Sequence, residues 1–434
     1  MQSVLLWTNI NNYMKENSFL TIPEVAKKLN LSQKSVRRYI AANELDSVKI
    51  GSSYRIPVSA LEDFINSDRK NDANKYDLFG NIIDNKDLSK KSTETQPINY
   101  TSIDTYWDKS NPSTMTFVDL FCGAGGLSKG LEMAGLNGIC GLDWFDEAGL
   151  TYAENFDHPF VNGDIKSQEI KDKFYNTVKE QLNGRKLNVV AGGFPCQGFS
   201  MAGNRIVDDP RNSLYLEMLD IVDHLKPDFV ICENVKGLRS MLGGKVELQI
   251  LEDFKNIGYE MNIATLNAAD YYTPQKRERV IFIGNRKGLI NFHPTPILSP
   301  NNYKTTGEAI SDLMDHPVDD KFSHKPTNHS EKMKQRILEC EEGKSLYKGY
   351  SDAWKKCPWD EASCTIKENH GGVNLHPKLP RVLTAREMAR IQSFPDDFIF
   401  KGSKTKQLVQ IGNAVPCFLG KAIGLSVRIS ARDL

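Results

Sequence analysis

The chain has 434 residues, room for two or three domains of ordinary size. Hydrophobic residues make up 40% and charged residues 25%, which excludes wholesale disorder. Lys+Arg and Asp+Glu number 55 each, so net charge neither announces a polyanionic partner nor excludes one. No run approaches the roughly 18 uninterrupted apolar residues of a membrane span, so no membrane partner is expected. The N-terminus lacks the basic region and small-residue cleavage site of a secretory signal. The eight cysteines form no CxxC pair, which disfavours a zinc ribbon, and the chain reads as a reduced cytoplasmic protein that holds no metal.

Residues 1–67 carry short periodic apolar segments. Thr21 and Glu24 have the spacing of a capping box, which predicts a helix over PEVAKKL. Asn30-Leu31 is a turn, and Ser32 caps a second helix, QKSVRRYIAAN. On it Val36, Tyr39 and Ile40 share one face, while Gln33, Lys34, Arg37 and Arg38 lie on the other, open to phosphates and base edges. SVKI, Gly51-Ser-Ser and YRIP then read as a small hairpin, or wing. Over residues 19–66 this order resembles the winged helix-turn-helix of the excisionase and MerR-like family, which implies DNA binding. The plainer alternative is a small helical domain with a solvated basic face. Residues 68–112 are rich in Asn, Asp, Lys and Ser without a sustained apolar period, and read as a linker.

From Met115 onward, short β-branched runs alternate with helical patterns. FVDLF (117–121), GICGLD (138–143), LNVVAGG (187–193), DFVICE (228–233) and RVIFIG (279–284) are the expected strands. Near-continuous apolar strands separated by helices predict a mostly parallel sheet covered on both faces, an α/β fold. Asp119-Leu-Phe-Cys-Gly-Ala-Gly-Gly126 closes the first strand and opens a helix. It is not a dinucleotide loop, because Ser128 stands where the third glycine belongs, and the phosphate-loop lysine is absent. Gly123 and Gly125 still let backbone approach a ligand closely. Asp143 ends the next strand where an acid would grip ribose hydroxyls, Trp144 beside it offers a flat face, and Asp164-Ile165 follows the third segment. An adenosyl ligand lacking phosphates suits such an edge.

Gly193-Phe-Pro-Cys-Gln-Gly-Phe-Ser200 places Cys196 in a glycine-rich loop at a strand's end, between Pro195 and Gln197, and not inside a strand. Most free cysteines are small buried hydrophobes, and this placement makes Cys196 a candidate nucleophile beside that plainer reading. Glu233-Asn-Val ends the following strand. In Gln275-Lys-Arg-Glu-Arg279, strand alternation puts Gln275, Arg277 and Arg279 on one face, either a polar site or a surface ion-pair strand.

DLFCGAGG, GFPCQGFS, ENV, QKRER and GNAVP, in this order and with LTAREMARIQSFPDDF (383–398) before the last, resemble the DNA cytosine-5 methyltransferases over about residues 115–434. The resemblance implies a Rossmann-like methyltransferase fold with a smaller target-recognition domain. It implies a cytosine flipped from double-stranded DNA and S-adenosyl-L-methionine as methyl donor. Cys196 then matches the thiolate that adds to C6, Glu233 the acid on N3 and the exocyclic amine, and Arg279 the contact to O2, with Arg277 beside it. Phe121 and Trp144 match aromatic walls of the cofactor pocket, Asp143 the ribose ligand, and Asp164 and Ile165 the adenine contacts. Asn413 and Ala414 would close the pocket from the C-terminal end, with Gly123, Gly125, Pro195 and Leu214 as further cofactor candidates. Gln197, Ser200, Arg205 and Gln275 are candidate DNA contacts, and the loop 198–213, with Gly203, would close over the flipped base.

The implied layout is a helix-turn-helix module at 1–67, a linker at 68–112, a catalytic domain at 113–284, a target-recognition region at 285–382 and a catalytic return at 383–434. HGGVNLHPKLPR (370–381) is the segment expected nearest the major groove, and His370 and His376 read as structural or DNA-contacting rather than as metal ligands. The catalytic unit is expected to be monomeric. In restriction systems such an appended module commonly represses the enzyme's own promoter, so operator DNA is a second expected partner. An inactive DNA-binding regulator and a tRNA cytosine-5 methyltransferase are the alternatives; intact Cys196, Glu233 and Arg279 argue against the first, and the N-terminal module against the second.

Overall fold

The computed structural model describes residues 19–29, 33–41, 45–50, 53–57, 60–61, 114–195, 213–347, 354–367 and 374–431. The chain divides into two compact units, Met1–Asp87 and Leu88–Leu434. The expected linker, the Ser32 cap and the nucleophile loop with Cys196, Gln197, Ser200, Gly203 and Arg205 lie outside the described residues, as does His370.

In the first unit, strand β1 (Phe19–Thr21) leads into helix α1 (Ile22–Leu29), then α2 (Gln33–Ala41), β2 (Val48–Ile50) and β3 (Ser53–Pro57). The capping box is present: Glu24 Oε2 accepts from Thr21 N at 2.7 Å, and Thr21 Oγ1 from Glu24 N at 3.4 Å. Val25, Val36, Tyr39, Ile40 and Ile56 are each buried. The wing is β2–β3, extended by β1 into a three-stranded antiparallel sheet of order β1-β3-β2. Sequence pattern missed β1, since three residues are too few to show alternation. Gln33 and Arg37 are exposed on α2, as expected.

In the second unit, β4 (Thr116–Leu120), α3 (Gly126–Met133), β5 (Asn137–Asp143), α4 (Asp146–Asn155), β6 (Phe160–Asn162), α5 (Gln168–Leu182), β7 (Val189–Gly192), α6 (Ser213–Leu225), β8 (Phe229–Val235) and α7 (Lys245–Asn256) alternate strand and helix. β9 (Glu260–Asn267) and β10 (Glu278–Asn285) complete a seven-stranded sheet of order β6-β5-β4-β7-β8-β10-β9. The five strands expected from sequence all form. β4 to β8 pair in parallel, and β10 runs antiparallel to both neighbours. β9 escaped notice because it is the sheet's last strand, and the polar residues of EMNIATLN fall on both of its faces, which leaves no clean alternation. Strand order reverses between β4 and β7, so their carboxyl ends open a crevice.

Residues 285–382 contribute α8 (Thr306–Ile310), α9 (Glu331–Glu339) and a parallel pair, β11 (Lys355–Lys356) with β12 (Asn374–Leu375). Ile337, Leu375 and Val382 form a small core of their own. In the described part of the expected groove segment Asn374, His376 and Arg381 are buried while Lys378 is exposed, and His376 Nδ1 accepts from Lys378 N and Leu379 N at 3.0 Å. His376 is therefore a turn-holding residue.

The C-terminal part comprises α10 (Ala385–Ile391), α11 (Lys404–Asn413) and α12 (Cys417–Ser430). Thr384 and Glu387 form the expected capping box, and Glu387 also takes a two-pronged contact from Arg381 at 2.6 and 2.8 Å. α12 crosses α3 so closely that a Cβ on Gly130 would lie 2.5 Å from Cys417 O and 2.6 Å from Gly420 Cα. Within Lys404–Ser430 one 18-residue window reaches a mean hydropathy of 1.3, enough by length and composition for a membrane span, but 78% of that window is buried inside the molecule, as in a core helix.

Candidate active site

The carboxyl ends of β4 to β8 frame a cavity of about 1430 Å³. β4 ends in Phe121, which takes the left-handed conformation at φ 57°, followed by Gly123 at φ 52° and Gly125 at φ 91°. A bulky residue there costs roughly 1–3 kcal/mol and persists only where the surroundings impose it. The imposed turn aims Gly123 N at Asp143 Oδ2, 2.8 Å away, while Asp143 Oδ1 accepts from Phe145 N at 2.9 Å. Burial raises the Asp143 carboxyl above its ordinary range, and these N–H groups oppose the rise. Trp144, 73% exposed, stands beside it with its flat face open.

Phe121, Gly123, Asp143, Trp144, Asp164, Ile165, Pro195, Leu214, Asn413 and Ala414, all expected at a cofactor, line this one cavity. Gly125 does not. A Cβ there would lie 2.4 Å from the Phe156 ring, so its smallness serves packing behind the loop. α11 supplies Thr405, Lys406 and Val409, which sequence reasoning missed. The 411–415 turn seals the loop from the far end of the chain, since a Cβ on Gly126 would lie 2.3 Å from Val415 O.

Behind the loop, Asp119 lines the cavity yet is nearly inaccessible. Ser128 Oγ donates to Asp119 Oδ2 at 2.6 Å and lies 2.9 Å from Tyr152 Oη, itself 2.8 Å from His158 Nε2. The serine in place of a third glycine thus serves a buried polar chain. Burial pushes Asp119 up to about 7; the Ser128 hydrogen bond opposes this, and the charges of Asp143 and Glu233 add to it.

On the other side, Glu233 and Arg279 meet, Nε to Oε1, at 2.8 Å. Pairing of Ile281 with Glu233 places Arg279 diagonally across from the carboxylate on one sheet face. Gly193 leaves room for that carboxylate, since a Cβ there would stand 3.0 Å from Glu233 Oε2. Asn234 Nδ2 donates to Phe194 O at 2.9 Å, tying the root of the nucleophile loop to the strand that carries the acid. Pattern had marked ENV as a block without giving Asn234 this role.

Two expectations are corrected. Gln275 is fully buried and cannot meet DNA; its Nε2 donates to Gln392 Oε1 at 2.7 Å and its Oε1 accepts from Ile366 N at 2.7 Å. Arg277 lines the cavity, but its terminal nitrogens donate to Ile366 O at 2.8 Å and Gly412 O at 3.1 Å. It braces the wall, whereas Arg279 presents charge beside Glu233. Burial, with the Arg279 charge adding, lowers the Arg277 guanidinium from its ordinary range. Among the described residues no cluster of three or more His, Cys, Asp or Glu could hold a metal.

A doubly covered sheet with a reversed penultimate strand order and a glycine-loop cavity at its carboxyl edge is the Rossmann-like methyltransferase fold. A solved methyltransferase of Entamoeba histolytica, EhMeth, superposes with a TM-score of 0.54 at 19% identity, over 74% of this chain and 99% of its own. The profile of the C-5 cytosine-specific DNA methylases matches residues 115–428, and a helix-turn-helix domain profile matches 19–69. The chain belongs to the C-5 cytosine-specific DNA methylase family, as a DNA cytosine-5 methyltransferase with an N-terminal helix-turn-helix domain. Type II methyltransferase M1.HphI of Haemophilus parahaemolyticus is 36% identical over 330 residues, 72% of this chain and 87% of its own. Type II methyltransferase M.Eco47II of Escherichia coli is 30% identical over 98% of both chains.

Proposed function

We propose that this enzyme methylates a flipped cytosine in double-stranded DNA with S-adenosyl-L-methionine as donor, and protects DNA from a partner restriction endonuclease. The observation that carries the reading is the convergence of the Glu233–Arg279 pair and the Asp143–Trp144 corner on one cavity, with the root of the Cys196 loop between them.

The cavity suits the donor chemically. An ionised carboxylate has about four acceptor sites, so Asp143 can take ribose hydroxyls in addition to its two backbone donors. The Trp144 face and Ile165 offer apolar cover to a base, and Asp164 an acceptor for an exocyclic amine. Phe121 stands beside the glycine loop as an aromatic wall. When bound, the cofactor supplies an electrophilic methyl on a sulfonium. The chain's own residues ready the base. The Cys196 thiolate adds to C6, which breaks aromaticity and makes C5 nucleophilic. Glu233 holds the N3 edge and exocyclic amine, and Arg279 reaches O2, so charge developing on the ring is met on both sides. Once C5 carries the methyl, a base takes the C5 proton and the C6–S bond breaks, which releases the Cys196 thiolate and restores the ring. The catalytic unit works as a cytoplasmic monomer. The N-terminal domain binds operator DNA near its own gene, with Gln33, Lys34, Arg37 and Arg38 toward the duplex.

Bisulfite sequencing of DNA from a host expressing the chain should reveal methylcytosine at one short site, absent with Cys196→Ala. A duplex carrying 5-fluorocytosine at that site should trap the wild-type chain covalently, because elimination needs a proton at C5. Methylation persisting in Cys196→Ala would overturn the covalent mechanism. Methylation confined to tRNA would overturn the substrate.

A further inference from the structure

Ile366, which sequence reasoning left in the recognition region, lines the same cavity as the 411–415 turn. Its backbone is held at both polar groups by the QKRER segment: the N–H donates to Gln275 Oε1 at 2.7 Å, and the carbonyl accepts from Arg277 Nη1 at 2.8 Å. The same two side chains reach the 411–414 backbone from their other ends. Arg277 Nη2 goes directly to Gly412 O at 3.1 Å. Gln275 goes through Gln392, whose Nε2 donates to Ile411 O at 2.7 Å and Ala414 O at 3.2 Å.

The direction of this chain is forced. Gln392 faces two carbonyls, so its nitrogen must point there and its oxygen toward Gln275. The Gln275 nitrogen must then meet that oxygen, leaving its own oxygen for the Ile366 N–H. Gln275 and Gln392 are both fully buried, so no water replaces a broken link and a lost partner leaves an unsatisfied buried amide. Two parallel routes thus join the turn bearing Asn413 and Ala414 to the strap 363–367. The strap is also pinned by Lys276 N to Ser363 O at 2.8 Å and Thr365 Oγ1 to Lys276 O at 2.9 Å.

We propose that Gln275, Arg277 and Gln392 are positioning residues that couple the two walls, so that cofactor contact with the 411–414 turn orders the 363–367 strap on the target-base side before DNA closes. The inference rests on the cofactor reading above. A shift of the turn that kept the strap still would strand a buried amide, so the two move or settle together.

The test is hydrogen exchange on the full chain with and without S-adenosylhomocysteine. In the wild type, cofactor product should slow exchange at least fivefold at both 411–415 and the Ile366 amide. Gln392→Met keeps the volume and cuts the glutamine route, and Arg277→Met added to it cuts the second route; the double variant should still bind S-adenosylhomocysteine within about threefold by calorimetry and protect 411–415, but lose the protection at Ile366. Merely structural side chains would lower the double variant's melting temperature yet leave the ligand-induced protection transmitted, which would overturn the proposal. Wild-type chain that binds the product without protecting Ile366 overturns it regardless of how the variant folds. No binding to wild type at all would instead remove the cofactor reading, and the coupling with it.

Discussion

Asp143 and Asp119 are neighbouring acids with different work. Asp143→Ala should weaken S-adenosylmethionine binding by about 1–3 kcal/mol, or roughly 5–150-fold, without changing which site is methylated. Unaltered affinity in calorimetry would take Asp143 out of the pocket. Asp119 titrates near 7 when folded against 3.8 as an ordinary side chain. Between those values the folded state holds the extra proton, so this carboxyl lowers stability as pH rises from about 4 to 7, and the whole penalty is present above 7. Asp119→Asn should therefore raise the melting temperature by several degrees at pH 8 and hardly at all at pH 4. An equal shift at both pH values would show that ionisation of Asp119 is not what destabilises. At this scale the sequence marks residues by chemical type and loop context, as with Asp143 and Trp144. It does not reveal burial, and for that reason Gln275 read as a DNA contact.

Among the elements, the α3–α12 crossing determines whether the cofactor loop is closed. Gly130 and Gly420 let the helix backbones touch, and Gly424 repeats this one turn on, where a Cβ would lie 2.6 Å from Ala134 Cβ. Gly130→Val should destabilise by at least about 1–3 kcal/mol, because backbone cannot yield as a flexible side chain does. Thermal unfolding and S-adenosylmethionine affinity should both fall. Retained stability with normal affinity would show that the crossing tolerates separation. The capping boxes at Thr21 and Thr384 were legible as four-residue patterns, being local. The crossing was not, since its partners stand 290 residues apart and no local pattern pairs Gly130 with Gly420.

For the molecule as a whole, a chain beginning near residue 110 should methylate the same site as the full protein and lose repression of its own promoter. The reason lies in composition: residues 68–112 offer little apolar surface to fix the two units against each other. Arg37→Ala with Arg38→Ala should weaken operator binding and flatten its salt dependence, since two phosphate neutralisations are removed. Changed methylation specificity in the shortened enzyme would assign the N-terminal domain to target recognition and defeat the operator reading.

What the sequence determined by itself was the order of the blocks, the alternation of strand and helix, and the residue types that chemistry requires at strand ends. These are local facts: periodicity sets the elements, and a parallel strand's carboxyl end places Asp143, Glu233 and residues 193–195, which lead into the Cys196 loop, on one edge. Only the tertiary structure decided how the far segments serve that edge. It buried Gln275 and Gln392 against each other, turned Arg277 from the base to two backbone carbonyls, and drew Leu375 into a small core with Ile337 and Val382. It also laid α12 across α3 to seal the loop. Burial and long-range partnership decide whether a polar side chain meets a ligand or the protein's own backbone, and neither is written in the spacing of residues along the chain.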